Sequence, residues 1–330
     1  ADVNATTPCR RVFDASMRSK GKMSLNDRMY LGSQMTPNIL EVQLRLRLMK
    51  YLLCTDISKA FMRMVLRVLD RNFTCFLSRK NWKDPNSEIL IFRFKSVIFG
   101  ASSSPFLLNA TVADILQNSH NSFKELLEVY VDNLFILMSQ KHAVLPAANN
   151  ITKIFKNAGM PLHDFASNLP DINIKLKDLG IFTKSPVLKI LGMQWDYEKD
   201  LWFISAVDFE IVLITKRSIL SDIARLYDPC GFLAPLTILA RLILQTAWEH
   251  DFSWDQALPA DVQTEWKEIV VMLKDALTIP IPRWIGFEEC KGISIHGFCD
   301  ASEKSLGVVI YFVSQDRRLM YASKAKIFIS

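Results

Sequence analysis

At 330 residues, half of them hydrophobic, the chain is long enough to bury a sizeable core in two or more domains, which excludes a wholly disordered protein. Lys and Arg outnumber Asp and Glu by 40 to 34, and the resulting +6 at pH 7 suits a polyanionic partner such as nucleic acid, a balance that many intracellular proteins share. The six cysteines (Cys9, Cys54, Cys75, Cys230, Cys290, Cys299) are scattered, with no Cys-x-x-Cys pair and no His at zinc-ligand spacing; they read as reduced thiols of an intracellular protein, cytoplasmic or nuclear.

Residues 1–30 are polar and carry Asp2, Arg10, Arg11, Asp14 and Arg18, so they do not read as a secretion signal. The sequence opens with Ala and stops in the apolar run Ile327-Phe328-Ile329, and is read as an excerpt of something longer. Residues 7–35 are rich in charge and turn formers and predict loop and short hairpin, with Ser24-Leu25-Asn26-Asp27 as a turn or cap. The apolar run 51–55 predicts a strand that presents Asp56 at its end. Residues 89–99 alternate apolar side chains with Arg93 and Lys95, the pattern of a half-buried strand, and end at Gly100.

Ala101-Ser102-Ser103-Ser104-Pro105 predicts a helix start, because a Ser cap satisfies free backbone N–H groups and Pro in the first turn has none to leave unpaired. That helix should run to about Gln117. The apolar runs 126–131 and 134–138 are separated by Asp132-Asn133, two residues that tolerate positive φ, which predicts a hairpin with Asp132 at its tip. Residues 151–158 are helical by pattern and close at Gly159, while 187–195 and 201–205 flank Glu198-Lys199-Asp200 as a second hairpin.

Beyond residue 205 the spacing predicts helices over 219–227, 236–250 and 259–277. The most apolar stretch, 231–248, contains Pro235, Arg241 and Gln245, which favours a buried helix over a membrane span. Ile279-Pro280-Ile281-Pro282 reads as a linker, and 294–300 and 307–313 as strands joined by a polar turn.

Chemistry resides in the order of three parts: a strand end with Asp56, a glycine loop running into a helix, and a hairpin with Asp132. Mg2+ prefers hard oxygen ligands and is usually held by one or two protein carboxylates together with substrate phosphate and water. Nucleotidyl transfer uses two such ions about 3.5–4 Å apart, one activating the attacking hydroxyl and one steadying the leaving pyrophosphate. A carboxylate at a strand end beside one at a hairpin tip supplies such a site. Taken singly, each is ordinary turn chemistry.

Tyr130-Val131-Asp132-Asn133 resembles the Tyr-x-Asp-Asp box of reverse transcriptases, and Asp56-Ile57-Ser58-Lys59-Ala60-Phe61 resembles their first metal-binding motif. Around them, Val12-Phe13-Asp14-Ala15-Ser16, Ser24-Leu25-Asn26-Asp27, Phe99-Gly100-Ala101-Ser102-Ser103-Ser104-Pro105-Phe106, Ala166-Ser167-Asn168 and Leu191-Gly192-Met193-Gln194-Trp195 are similar to segments of BEL/Pao retrotransposon polyproteins. Tyr227-Asp228-Pro229-Cys230-Gly231-Phe232-Leu233-Ala234-Pro235 resembles that family's Asp-Pro-x-Gly-x-x-Ala-Pro segment, and His296-Gly297-Phe298-Cys299-Asp300-Ala301-Ser302 the start of its ribonuclease H. The resemblance covers nearly the whole chain.

It implies an α/β (α+β) fold built as a right-hand polymerase: partial fingers over 1–50, palm over 51–205, a helical thumb or connection (the Pao-type segment) over 206–290, and a truncated ribonuclease H-like sheet over 291–330. It also implies RNA-directed DNA polymerase chemistry on an RNA or DNA template with primer, using deoxynucleoside triphosphates and Mg2+ (or Mn2+), with no membrane partner. Carried over residue by residue, Asp56 and Asp132 are metal ligands, with the backbone carbonyl of Ile57 completing one coordination sphere. Phe61 is an aromatic gate against the ribose 2′ hydroxyl, or else an ordinary core aromatic. Gly100 lets the backbone approach the incoming nucleotide, or is simply a turn glycine. Arg10, with Arg11 beside it, meets the triphosphate, or belongs to a solvated basic surface.

Two departures bear on activity. Asn133 replaces the second Asp of the catalytic box, so the site loses a unit of negative charge where divalent cations are held against a triphosphate. Before the Ser167-Asn168 pair, where the family commonly has a basic residue and Trp, Asp164-Phe165 follows His163. These changes leave a second reading open, a non-catalytic nucleic-acid-binding or interaction protein derived from such an element. A third, a Pao-type aspartic peptidase, lacks the Asp-Thr-Gly or Asp-Ser-Gly turn, since Asp300-Ala301-Ser302 has no glycine.

Overall fold

A computed structural model describes residues 13–81, 83–119, 127–183, 185–286, 292–315 and 317–328. In chain order the first elements are α1 (Leu25–Arg28), α2 (Ile39–Leu48), β1 (Tyr51–Ile57), α3 (Ala60–Arg63), a 3-10 turn (Asp70–Thr74), β2 (Cys75–Arg79), β3 (Ile89–Arg93) and α4 (Ser104–Gln117). There follow β4 (Leu127–Tyr130), β5 (Asn133–Met138), α5 (Lys141–Asn157), β6 (Leu162–Ser167), α6 (Pro170–Asp178), β7 (Leu188–Ile190), β8 (Met193–Asp196) and β9 (Leu201–Phe203). The chain then continues through α7 (Lys216–Arg225), α8 (Ala234–Glu249), α9 (Ala260–Leu277), β10 (Ile281–Pro282), β11 (Ser294–Ala301), β12 (Ser305–Val313) and β13 (Arg318–Ile327).

The described residues form a mixed α/β fold with four sheets, ordered β4-β5-β1-β6, β10-β9-β8-β7, β11-β12-β13 and β2-β3. β1 and β5 hold the two central places of the first sheet, which explains their near-continuous apolar runs: a strand covered on both faces has no polar side to alternate with. The chain divides into two compact units, one comprising 1–37, 54–134 and 145–165, the other 38–53, 135–144 and 166–330. Among the described residues no helix is long and apolar enough to cross a membrane.

In the first unit, Ser24 forms a capping box with Asp27 at α1, as its sequence suggests. The helix after Gly100 also forms, ending at Gln117, but its expected Ser cap is not made. Ser103 stands at the cap position with φ −83° and ψ −11°, helical values from which a hydroxyl cannot reach back as an extended cap residue does. Ser104 instead donates through Oγ to the Ile98 carbonyl (2.7 Å).

The strand expected over 89–99 stops at Arg93 and is largely exposed. Its register with β2 is only five residues long, and Phe94 leaves it to pack against Phe76 (ring centroids 4.9 Å apart) and Phe13 (6.1 Å). The catalytic-box hairpin forms one residue earlier than expected: Val131 and Asp132 make the turn and Asn133 already belongs to β5. Positive φ therefore falls on Val131 (57°), a β-branched residue that resists it, rather than on the Asp-Asn pair. The helix read over 151–158 begins ten residues earlier, at Lys141. Pro146 forgoes one backbone bond within it, while across the chain's fold Val144, Ala147, Ala148, Ile151 and Phe155 are buried at helical spacing.

In the second unit, the apolar stretch 187–195 is two strands, because Leu191 (φ 47°) and Gly192 (φ 88°) form a tight turn inside it. A Cβ at Gly192 would overlap the Tyr227 ring. Trp195 and Trp202 pair across β8 and β9, both fully buried. The stretch 279–282 is more than a linker, since β10 pairs with β9 and delivers Arg283 into the core.

Arg283 is 0% exposed; it donates to the carbonyls of Leu46, Met49 and Lys50 and clamps both carboxylate oxygens of Asp200 (2.6 and 2.7 Å). Asp200 also accepts from Trp195 Nε1 and Asn168 Nδ2 (3.0 Å each). Such a buried charge persists because its own N–H donors all find acceptors, Asp200 supplying the opposite charge. α7, α8 and α9 fall close to their predicted bounds, and the C-terminal sheet gains β13 beyond the two strands read from sequence.

Candidate active site

Asp56 is the penultimate residue of β1 and keeps its side chain 34% exposed between buried Thr55 and Ile57. Three bonds tie this strand end to its surroundings. Ile57 N–H donates to the Asp132 carbonyl (2.9 Å), Ser58 N–H donates to the Pro161 carbonyl (2.9 Å), and Thr55 Oγ1 donates to the His163 carbonyl (2.8 Å). The strand end, the β4–β5 turn and the start of β6 are thereby held together, so Asp56, Asp132 and His163 belong to one locality.

Within it, Asn133 Nδ2 donates to Asp132 Oδ1 (3.1 Å), so the amide occupies an oxygen of the carboxylate beside it. His163 Nε2 lies 3.7 Å from Asp56 Oδ2, and its Nδ1 lies 3.1 Å from Asp164 Oδ2 without the alignment of a hydrogen bond. Asp164 adopts φ 53° inside β6, a left-handed conformation that costs a non-glycine residue about 1–3 kcal/mol and persists only where its surroundings impose it. Burial pushes the Cys54 thiol up to about 12, with the carboxylates of Asp56 and Asp164 adding to the shift.

The other residues read from sequence are distributed as follows. Phe61 is buried in α3 and meets Phe99 edge to face, with ring centroids 4.8 Å apart. Gly100 has φ 99°, and a Cβ there would overlap the Phe13 carbonyl oxygen. What requires glycine at this point is a neighbouring stretch of the same chain. Asn26 completes the junction by donating to the Gly100 carbonyl (3.0 Å) and accepting from Ser102 N–H (2.9 Å). Arg10 and Arg11 lie outside the described residues. Sequence reasoning assigned no role to His163; a titratable residue just ahead of the Ser-Asn pair was the available signal.

The carboxylates of Asp56 and Asp132, a main-chain carbonyl and the Asn133 amide oxygen are, in kind, the hard donors a divalent ion takes, with substrate phosphate and water supplying the remainder. Among the described residues no three His, Cys, Asp or Glu side chains already stand at metal-ligating spacing. The residues present fit such an ion in kind, and Asn133 makes the set one charge poorer than three carboxylates.

Residues 11–165 match the family described as reverse transcriptase (RNA-dependent DNA polymerase), and residues 215–328 match the Pao retrotransposon-like RNaseH-like domain. Together the two matches support a Pao-type retrotransposon reverse transcriptase followed by the start of a ribonuclease H. The first match takes in Asp56, Gly100, Asp132, Asn133 and His163, and the second spans α7 to α9 and the β11–β13 sheet. Among solved structures, it is similar to the foamy viral protease-reverse transcriptase dRH in complex with double-stranded DNA. The TM-score is 0.60 at 16% identity, over 98% of this chain and 50% of that one. It is also similar to the foamy viral protease-reverse transcriptase in complex with an RNA/DNA hybrid, with a TM-score of 0.52 at 16% identity over 90% of this chain and 36% of that one. At such identity the likeness concerns the fold, and the chain spans half the length of the first structure and less of the second. No curated protein sequence matches it.

Proposed function

We propose that this reverse transcriptase domain of a retrotransposon polyprotein binds a primer on an RNA or DNA template and adds deoxynucleotides to the primer, weakly because of Asn133. The observation that carries the reading is the Ile57–Asp132 backbone bond, which joins the strand end of Asp56 to the catalytic-box turn. In this reading residues 51–205 act as palm, and Asp56, Asp132 and the Ile57 carbonyl hold the divalent ions. Bound there, Mg2+ or Mn2+ would favour the ionised primer 3′ hydroxyl and offset charge on the leaving pyrophosphate.

The chain's own groups do the positioning. Asp56 and Asp132 set the negative field into which the ions and triphosphate enter, and Arg10 meets the phosphates. Phe61, fixed by its edge contact with Phe99, limits room at the sugar, and Gly100 keeps the loop before α4 close to the segment at Phe13. Asn133 contributes a neutral amide and draws on an Asp132 oxygen, so both metal affinity and turnover fall. This second effect also favours the rival reading, a nucleic-acid-binding protein that no longer extends primers. The match of 215–328 to an RNaseH-like domain leaves the peptidase reading without support.

Primer extension decides between the first two. A fluorescent DNA primer annealed to an RNA template should bind the purified chain with an affinity that drops steeply as salt rises, because phosphate neutralisation by Lys and Arg needs no metal. Slow Mg2+-dependent extension that disappears in Asp56→Asn, with binding retained, supports the polymerase. Binding with no extension under any divalent ion assigns the chain to the rival class.

A further inference from the structure

The proposed metal site has a nitrogen donor beside it that the oxygen-ligand picture leaves unused. His163 follows the first residue of β6, and its main-chain carbonyl is fixed by Thr55 Oγ1. Its Nε2 stands 3.7 Å from Asp56 Oδ2, too long for a hydrogen bond. Donor atoms bound at about 2.2 Å on adjacent corners of an octahedral ion sit roughly 3.1 Å apart, so about half an ångström of closure brings these two onto one ion. On the far side of the ring, Nδ1 is buried without a hydrogen-bond partner and lies 3.1 Å from Asp164 Oδ2. Carboxylate, imidazole and metal-binding position in that order is the arrangement in which a second carboxylate orients a ligating histidine and raises its basicity. The left-handed backbone of Asp164 is the local distortion that accompanies it.

We infer that His163 is a ligand of the divalent ion shared with Asp56, oriented by Asp164, and that the site therefore selects a first-row transition dication over Mg2+. The inference rests on the reading of Asp56 as a metal ligand. Its chemical basis is that Mg2+ takes oxygen ligands in a near-ideal octahedron, whereas transition ions accept imidazole and bind mixed nitrogen and oxygen sets more tightly. The amide at Asn133 removes a charge that Mg2+ relies on most, and a nitrogen ligand compensates only for an ion able to use it.

The test uses the full chain and Mn2+ as both ligand and probe. Pulsed electron paramagnetic resonance of bound Mn2+ should show the coupling of one directly coordinated 14N, and His163→Gln should abolish it while Mn2+ still binds. Asp164→Asn should keep the coupling and weaken Mn2+ binding by roughly tenfold or more. Mg2+ should displace Mn2+ from the parent only at a large excess, and that excess should shrink in His163→Gln. Mn2+ that binds in an Asp56-dependent way with no 14N coupling overturns the histidine ligand and leaves the metal site standing. Mn2+ binding indifferent to Asp56→Asn removes the site itself, and with it the inference.

Discussion

The sharpest consequence of the site's composition concerns Asn133→Asp. The substitution removes the Asn133 Nδ2 to Asp132 Oδ1 bond and sets a second carboxylate beside the first. Two unit charges about 4 Å apart repel by ~4 kcal/mol at an effective dielectric of 20 and ~1 kcal/mol in bulk water. The turn is half-buried, which puts the metal-free penalty at about 1–2 kcal/mol, with a further ~1 kcal/mol for the lost hydrogen bond. Without divalent ions the variant should therefore melt several degrees below the parent.

Mg2+ should narrow that gap, since its binding stabilises by RT ln(1 + [Mg2+]/Kd) and each tenfold tightening of the site is worth about 1.4 kcal/mol, so that about a hundredfold tightening would offset the penalty. Calorimetric scans over a Mg2+ series read both effects in one experiment, and primer extension should rise by an order of magnitude or more. An Asn133→Asp chain as stable as the parent in chelator, and no more responsive to Mg2+, would refute the claim that these two positions share an ion.

Val131→Asn should stabilise the chain by about 0.5–1 kcal/mol in denaturant unfolding, because asparagine tolerates the φ of 57° that a β-branched residue resists. Arg283→Met should cost about 3–5 kcal/mol, since it leaves the Asp200 carboxylate without its cation and the Leu46 and Met49 carbonyls without this donor; a variant as stable as the parent would show the network to be dispensable. The Cys54 and Cys230 thiols are raised from 9.0 to about 12, chiefly by burial. A raised folded-state value means the unfolded chain ionises first, so this stability is whole below about pH 9 and is lost towards pH 12, at about 1.4 kcal/mol per pH unit per thiol. Unfolding free energies at pH 8 and 10 should show that slope, reduced in Cys54→Ala, and native-state alkylation should label exposed Cys75 and Cys299 well before the two buried thiols. In hydrogen exchange, β11, exposed along its whole length and paired on one side only, should lose protection before central β12.

The sequence by itself determined the elements whose reasons are local. The buried run of β1, the hairpin around Asp132, the Ser24 capping box and the three long helices after residue 205 follow from side-chain periodicity and caps, which act within a few residues. The order of Asp56, Gly100 and Asp132, together with the resemblance of the motifs that hold them, points to a nucleotidyl-transfer site. Tertiary structure decided whatever depends on partners distant in the chain. The β4–β5 turn begins at Val131 while the Asp132 carbonyl accepts from Ile57, 75 positions earlier in the sequence, and no local preference would put a β-branched residue at positive φ. Gly100 is required by Phe13, Gly192 by Tyr227, and Arg283 finds its acceptors at Leu46, Met49, Lys50 and Asp200. His163 became a candidate ligand only once β6 lay beside β1, because distances between side chains on different strands are set by sheet order, which the periodicity of a single strand does not encode.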